Sequence, residues 1–289
     1  MLVLIDGQPA DSVPVTDRGL LYGDGLFETV LLRQGHLAYR ELHLQRLVLG
    51  CEHLDLALAR DVLAQQLDLF LDLLAEQSIH EAVVKIIVTR GDGGRGYMPP
   101  APSVPRIILQ SHPLPSDIGT NYQNGIDCSV CTYSLPHNPE LAGLKHLNRL
   151  DQIMGSQELR KAAIVNPDIR EALMSDHDAH LIEGTRSNVF VVIDGRLCTP
   201  DLRSCGVAGV TRQALTGFAN MQFWPLDIRR IKLHELTRAT EMFVCNSIIG
   251  VWPVNKLHMS GRVVSLPDKH YTRLCHDFLN AGLSDQALE

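Results

Sequence analysis

Basic residues are in short supply in this 289-residue chain: 26 lysines and arginines face 33 aspartates and glutamates, for a net charge of -7. That balance excludes the positive patch on which a nucleic-acid backbone docks. Long apolar runs are missing too, and none approaches the roughly 18 residues that span a bilayer. The opening run, Met1-Leu-Val-Leu-Ile-Asp-Gly7, has no basic leader and no cleavage site, so it predicts a strand and turn and a cytoplasmic protein. Cysteines number seven, an odd count scattered over a long chain, which argues for reduced, buried thiols over a disulfide framework. Cys128 and Cys131 form a lone Cys-x-x-Cys in a stretch whose alternation puts the two on opposite faces of a strand, and no metal site is expected. Internal repeats and low-complexity segments are absent as well.

The remaining composition, 45% hydrophobic and 20% charged, is that of a globular protein long enough for two ordinary domains. Strands predicted at 2–5 and 26–33 bracket a stretch punctuated by Gly19, Gly23 and Gly25, which implies tight turns or close backbone approach. Leu44, Leu47, Val48 and Cys51 set a helix over 40–52, and Val62, Leu63, Leu67, Phe70, Leu71 and Leu74 set another over 58–76. Strands at 82–89 and 104–109 follow. Pro113 and Pro115 mark a linker at 113–120, between a domain of 1–112 and one of 121–289. The second domain is expected to hold strands at 126–133, 171–174, 189–193, 243–245 and 251–254, with helices at 150–161, from 211, and over 268–281. Asp194-Gly195 is a hairpin turn. Strand and helix alternate too irregularly for a doubly wound parallel sheet, so the class is α/β in the broad, α+β sense.

Four features carry chemistry. Lys145 stands in Asn138-Pro-Glu-Leu-Ala-Gly-Leu-Lys-His-Leu-Asn-Arg-Leu150, among aliphatic residues. Desolvation there disfavours an ammonium and makes the amine a nucleophile near neutral pH, as Schiff-base chemistry requires. The plainer reading is a lysine that lays its stem on apolar neighbours and keeps its head wet. Gly209-Val-Thr211 opens a helix, where free N–H groups and the positive dipole end favour a phosphate, unless Thr211 is only a cap. Glu183 follows Leu181 and Ile182 and precedes a strand; buried there it needs a cationic partner, either a protonated pyridine nitrogen or an arginine such as Arg186. The loop Arg90-Gly-Asp-Gly-Gly-Arg-Gly-Tyr97 joins two strands and opens no helix, so it fails as a dinucleotide fingerprint. It does carry Arg95 and Tyr97, and an arginine there forks onto a substrate carboxylate.

Taken together, these motifs resemble those of the fold-type IV pyridoxal-phosphate enzymes, the class IV aminotransferase family, over nearly the whole chain. The class holds branched-chain and D-amino-acid aminotransferases and a lyase branch acting on 4-amino-4-deoxychorismate, and the lysine and glycine-loop motifs are most similar to that branch. The resemblance implies a small N-terminal α/β domain, a larger C-terminal pseudo-barrel domain, pyridoxal 5'-phosphate as cofactor, and a homodimer with active sites near the subunit interface. It makes Lys145 the residue that carries the cofactor and Glu183 the carboxylate at its pyridine nitrogen. Arg46, Val210, Thr211 and Ser247 become the phosphate ligands. Tyr22, Phe27, Thr29 and Asn246 fall on the substrate side with Arg95 and Tyr97; for a dicarboxylate, loop position alone makes Arg95 the first choice of arginine and Arg18 the second. Thr29 stands where the aminotransferases often carry glycine, and its hydroxyl suits a lyase, which needs a proton donor near the departing group. The implied reaction gives 4-aminobenzoate and pyruvate, in folate biosynthesis. The alternatives are an aminotransferase of the same class for D- or branched-chain amino acids, and a phosphate-binding module without catalysis.

Overall fold

The computed structural model describes residues 1–285, and the chain divides into two compact units. One takes Met1–Pro115 with Leu144–Asn148; the other takes Ser116–Gly143 with Arg149–Gly282.

The first unit is built on β1 (Val3–Ile5), β2 (Gln8–Pro9), β3 (Gly25–Arg33), β4 (His36–Leu37), β5 (Ala82–Thr89) and β6 (Arg106–His112). They form one antiparallel sheet in the order β2-β1-β6-β5-β3-β4. Leu26, Val30 and Leu32 alternate along β3 with half-buried Phe27, Thr29 and Leu31, the period of a strand with one face in a core. That core is completed by Leu44 and Leu47 of α2 (Arg40–His53) and by Leu63, Leu67, Phe70 and Leu74 of α3 (Arg60–Glu76). Val62, expected on the same face, is 45% exposed, because it stands one residue, about 100° of helix, off the stripe that Leu63 begins. Each such side chain contributes about 1.5–3 kcal/mol by leaving water. The strand expected at 104–109 begins later, at Arg106, because Pro105 has no N–H to give a ladder. A short helix, α1 (Arg18–Tyr22), precedes β3. Gly25 is fixed by close approach: a Cβ there would stand 2.2 Å from the Val88 carbonyl oxygen. Leu144–Asn148 runs along the start of β3, with Phe27 N donating to Lys145 O and Leu147 N to Gly25 O, both at 2.9 Å.

The second unit holds β7 (Ile126–Leu135), β8 (Ile169–Asp176), β9 (Leu181–Gly184), β10 (Asn188–Ile193), β11 (Arg196–Pro200), β12 (Leu226–Arg229), β13 (Ala239–Asn246), β14 (Gly250–Met259) and β15 (Arg262–Ser265). Their order is β12-β11-β10-β13-β14-β7-β8-β9, with β15 on β14, and parallel pairs β11/β12, β14/β7 and β7/β8 sit among antiparallel ones. The sheet is therefore mixed, as the irregular alternation of elements implied. Its helices are α4 (Ile118–Asn124), α5 (Leu150–Val165), α6 (Val210–Met221) and α7 (His270–Asp285). Asp194 and Gly195 both take positive φ, +51° and +76°, and Ile193 pairs with Arg196, the hairpin that the dipeptide predicted.

Cys128 packs in one apolar cluster with Val189, Val244 and Trp252, and Cys131 in another with Met174 and Ile182, so the two thiols do lie on opposite faces of β7. All seven cysteines are buried and unpaired, and burial pushes Cys51, Cys131, Cys205 and Cys245 up to about 12. No helix among the described residues is long and apolar enough to cross a membrane.

Candidate active site

The first unit gathers its chemistry on the half-buried face of β3. Lys145 is itself half-buried, and its Nζ stands 4.4 Å from the centre of the Phe27 ring. Thr29 lies two residues further along the same face. Neither full exposure nor a sealed apolar pocket describes this lysine; it sits against an aromatic face that attracts its cation. Tyr22 ends α1, and the exposed Tyr97 ring meets it edge-on with centroids 5.5 Å apart. Arg95 is exposed in the glycine loop. Arg18 is not such a group. It is 3% exposed, its Nε donates to Asp24 at 2.8 Å, and its terminal nitrogens donate to the carbonyls of Gly96 and Tyr97 at 3.1 and 2.9 Å. The expectation of a second entrance arginine is thereby corrected: Arg18 pins the loop that bears Arg95.

Arg46, the expected phosphate arginine, projects from α2 onto Glu28 of β3, with Nε 2.7 Å from Oε1 and Nη2 2.5 Å from Oε2. His43 Nδ1 lies 2.6 Å from the same Oε2. Burial pushes the Glu28 carboxyl up, but the Arg46 guanidinium and the His43 hydrogen bond outweigh it and bring it to about 2. Burial also lowers His43, so the imidazole is neutral and donates from Nδ1.

In the second unit Glu183, on β9, is 3% exposed. Its Oε1 accepts from Gln152 Nε2 at 3.1 Å and its Oε2 from Val207 N at 2.8 Å. Arg186 is not its partner, contrary to the simpler expectation. That side chain is largely exposed, donates to the Arg170 carbonyl, and lies 3.9 Å from Glu171 instead. Arg149 is a cation that feels Glu183: burial lowers the guanidinium, and Glu183 and Asp151 only partly offset it.

Val210 and Thr211, 1% and 3% exposed, form the first turn of α6. Gly209 precedes them as a cap without a side chain, and a Cβ there would come 2.0 Å from Asn188 Oδ1. The twelve-residue helix thus presents backbone N–H groups that no capping side chain covers, which is the chemistry of a phosphate seat. Ser247 is half-buried in the turn joining β13 and β14. Asn246 shapes that turn: its Oδ1 accepts from Ile248 N and Ile249 N, both at 2.9 Å, and its Nδ2 donates to Arg186 O at 3.0 Å. Taken unit by unit, the chemistry fits pyridoxal 5'-phosphate: the first unit offers a half-buried amine on an aromatic face and a fixed arginine, and the second a buried carboxylate and an uncapped helix start.

Residues 25–257 match the family model of the class IV aminotransferases. The chain belongs to the class IV aminotransferases. Among members of that family, the aminodeoxychorismate lyase of Vibrio harveyi is 31% identical over 278 residues, which is 96% of this chain and 98% of that one. The crystal structure of 4-amino-4-deoxychorismate lyase from Pseudomonas aeruginosa is 42% identical with a TM-score of 0.86, covering 97% of this chain and 98% of that one. A hypothetical aminotransferase of Mycobacterium tuberculosis in its PLP-bound form, at 22% identity and a TM-score of 0.82 over 99% of this chain and 100% of that one, shares the fold. The class IV aminotransferase fold expected from the motifs is the one observed.

Two residues at the site escaped the sequence reading. Lys85 pairs across the strands with Thr29, and its Nζ stands 5.5 Å from the Phe27 ring centre, on the face that carries Lys145. Glu28 is the carboxylate between Arg46 and His43. Each left the same signal, a charge inside an otherwise apolar alternating strand, in Val84-Lys-Ile86 and Phe27-Glu-Thr29.

Proposed function

We propose that this chain is a pyridoxal-phosphate-dependent lyase that converts 4-amino-4-deoxychorismate into 4-aminobenzoate and pyruvate. The observation that carries this reading over transamination is similarity along the full chain: 42% and 31% identity to two proteins named for that lyase, against 28% for a relative named as a branched-chain-amino-acid aminotransferase. The residues support it chemically. Lys145 offers the amine that holds the cofactor and, once released by the substrate's own amine, takes the proton from the carbon bearing the nitrogen. Bound cofactor supplies an electron sink for the charge left on that carbon. Glu183 keeps a proton on the pyridine nitrogen, which is what makes the sink effective. The hydroxyl of Thr29 donates to the ether oxygen as the bond between ring carbon and enolpyruvyl oxygen breaks, with Lys145 as the other acid available on that face. The electron pair from the broken C–H bond enters the ring, the enolpyruvyl group leaves with the bonding pair and is protonated to pyruvate, and the ring becomes aromatic. Arg46, Val210, Thr211 and Ser247 hold the phosphate.

A dicarboxylate needs cations on the substrate side, and Lys85 joins Arg95 in that role because it faces the same ring as Lys145. Tyr22, Phe27 and Tyr97 supply apolar walls. A homodimer accompanies this function, supported by Leu150, Ile153, Met154, Ile164 and Val165 standing exposed on α5. The seven unpaired thiols favour a reducing compartment, and we place the enzyme in the cytoplasm.

The test is spectroscopic. The purified chain is expected to be yellow, to lose its visible band on borohydride reduction, and to carry the resulting label on Lys145. Given D-alanine or a branched-chain amino acid, a transaminase converts its cofactor to the amine form within a turnover, whereas this chain is expected to do so far more slowly than it releases pyruvate. A colourless protein that takes no label overturns the proposal in favour of simple phosphate binding.

A further inference from the structure

We propose that Glu28 is a positioning residue, with His43 behind it, that aims Arg46 at the phosphate of the cofactor; this rests on the cofactor reading given above. Glu28 stands on the core side of β3, between Leu26 and Val30, and is 1% exposed. A carboxylate is a costly occupant of such a position unless every oxygen is paired. Here both oxygens are committed, Oε1 to Arg46 Nε and Oε2 to Arg46 Nη2 and His43 Nδ1. His43 and Arg46 are three residues apart on α2, so one helical face delivers both to the same carboxylate.

The form of the contact indicates its use. Glutamate grips the Nε and Nη2 edge of a planar guanidinium, and fixing one edge of a rigid fork fixes the direction of the rest. A negative charge beside the phosphate arginine subtracts from the attraction the phosphate feels. Its presence there is explained by direction, since an arginine already held in place loses less rotamer freedom when the ligand arrives. His43 keeps the second oxygen occupied without adding charge: its Nε2 has no hydrogen-bond partner among the described residues, as fits a neutral imidazole that donates only from Nδ1.

A purely architectural triad, tying α2 to β3, makes a different prediction. The two are separated by comparing pyridoxal 5'-phosphate with pyridoxal, which has the same aldehyde and ring but no phosphate. The full chain, stripped of cofactor, is titrated with each and followed by visible absorbance and by borohydride-fixed label on Lys145. Glu28→Gln is expected to weaken the phosphate form tenfold or more and pyridoxal less than twofold. In an Arg46→Gln background the same change is expected to have no further effect on either aldehyde. Unchanged affinity for the phosphate form, or equal weakening of both aldehydes, would overturn the proposal. Should Glu28→Gln fail to fold, Glu28→Asp keeps the charge and draws the fork back by one methylene; selective weakening of the phosphate form again supports the proposal, and parental affinity overturns it. A parent chain that takes up neither aldehyde on Lys145 defeats the cofactor reading itself, an outcome distinct from a parent that binds both while Glu28→Gln does too.

Discussion

Phe27 is the residue around which the proposed substrate face is arranged, because one ring receives Lys145 on the neighbouring segment and Lys85 on the neighbouring strand. A half-buried contact of this kind is worth about 0.5–1 kcal/mol. Lys145→Ala is therefore expected to unfold within about 1 kcal/mol of the parent in urea while losing all borohydride label and all turnover; residual turnover near the parental rate would remove the lysine from the chemistry. Lys85→Ala is expected to raise KM for the dicarboxylate about tenfold and leave the cofactor spectrum unchanged. Glu28 also has a signature in acid. Its folded value, about 2, lies below the ordinary 4.5, so its contribution is fully present above pH 4.5 and is lost as pH falls toward 2. The shift amounts to about 3 kcal/mol. Burial lowers His43 below its usual 6.5, and its effect has the same sign: the unfolded chain takes up a proton there that the folded chain refuses, so stability declines below about pH 6.5. Between pH 5 and pH 3 the parent should lose more unfolding free energy than Glu28→Gln, and equal losses would contradict the pairing. At this scale the sequence marked Lys145 and Glu183 because each interrupts an apolar pattern. Lys85 and Glu28 interrupt one as well, but their meaning depends on cross-strand register and on which helix faces the strand, and neither is written in local spacing.

The elements were more legible than the site. Helical periodicity located α2 and α3 closely because each has a continuous stripe to bury, and β5 was legible as a buried strand from its nearly unbroken apolar run. Two-residue strands such as β2 and β4 show no period at all, and β12 is a short edge strand whose pairing is set by its neighbour. The return of Leu144–Asn148 to the first unit was equally hidden, since it is made by backbone hydrogen bonds that carry no side-chain code. The glycine ahead of α6 is an element-scale feature with an element-scale test. Gly209→Ala forces Asn188 to withdraw, although Asn188 Nδ2 also donates to Val207 O at 2.8 Å. Overpacking of this kind costs about 1–3 kcal/mol, so the melting temperature is expected to fall and the affinity for pyridoxal phosphate with it. A variant as stable as the parent would show that the helix entry has more room than the contact implies. Leu67→Ala, on α3 and fully buried, is expected to cost about 2–5 kcal/mol by chemical denaturation with no change in KM.

At the scale of the whole molecule, membership of the class IV aminotransferases fixes the fold, and the chain's relatives include proteins named as a lyase and as aminotransferases. The proposed dimer should appear in light scattering at twice the 32.0 kDa of the chain. The proposed lyase reaction and a transamination would draw on the same lysine and carboxylate, so the decisive difference is whether a second substrate is needed. The most direct measurement supplies 4-amino-4-deoxychorismate to the purified enzyme with no keto acid present and quantifies both products. Pyruvate and 4-aminobenzoate should accumulate in equal amounts over many turnovers. If product forms only when a keto acid is added, or if the cofactor stops in its amine form after one turnover, the enzyme is a transaminase and the lyase chemistry assigned to Lys145 and Thr29 is wrong.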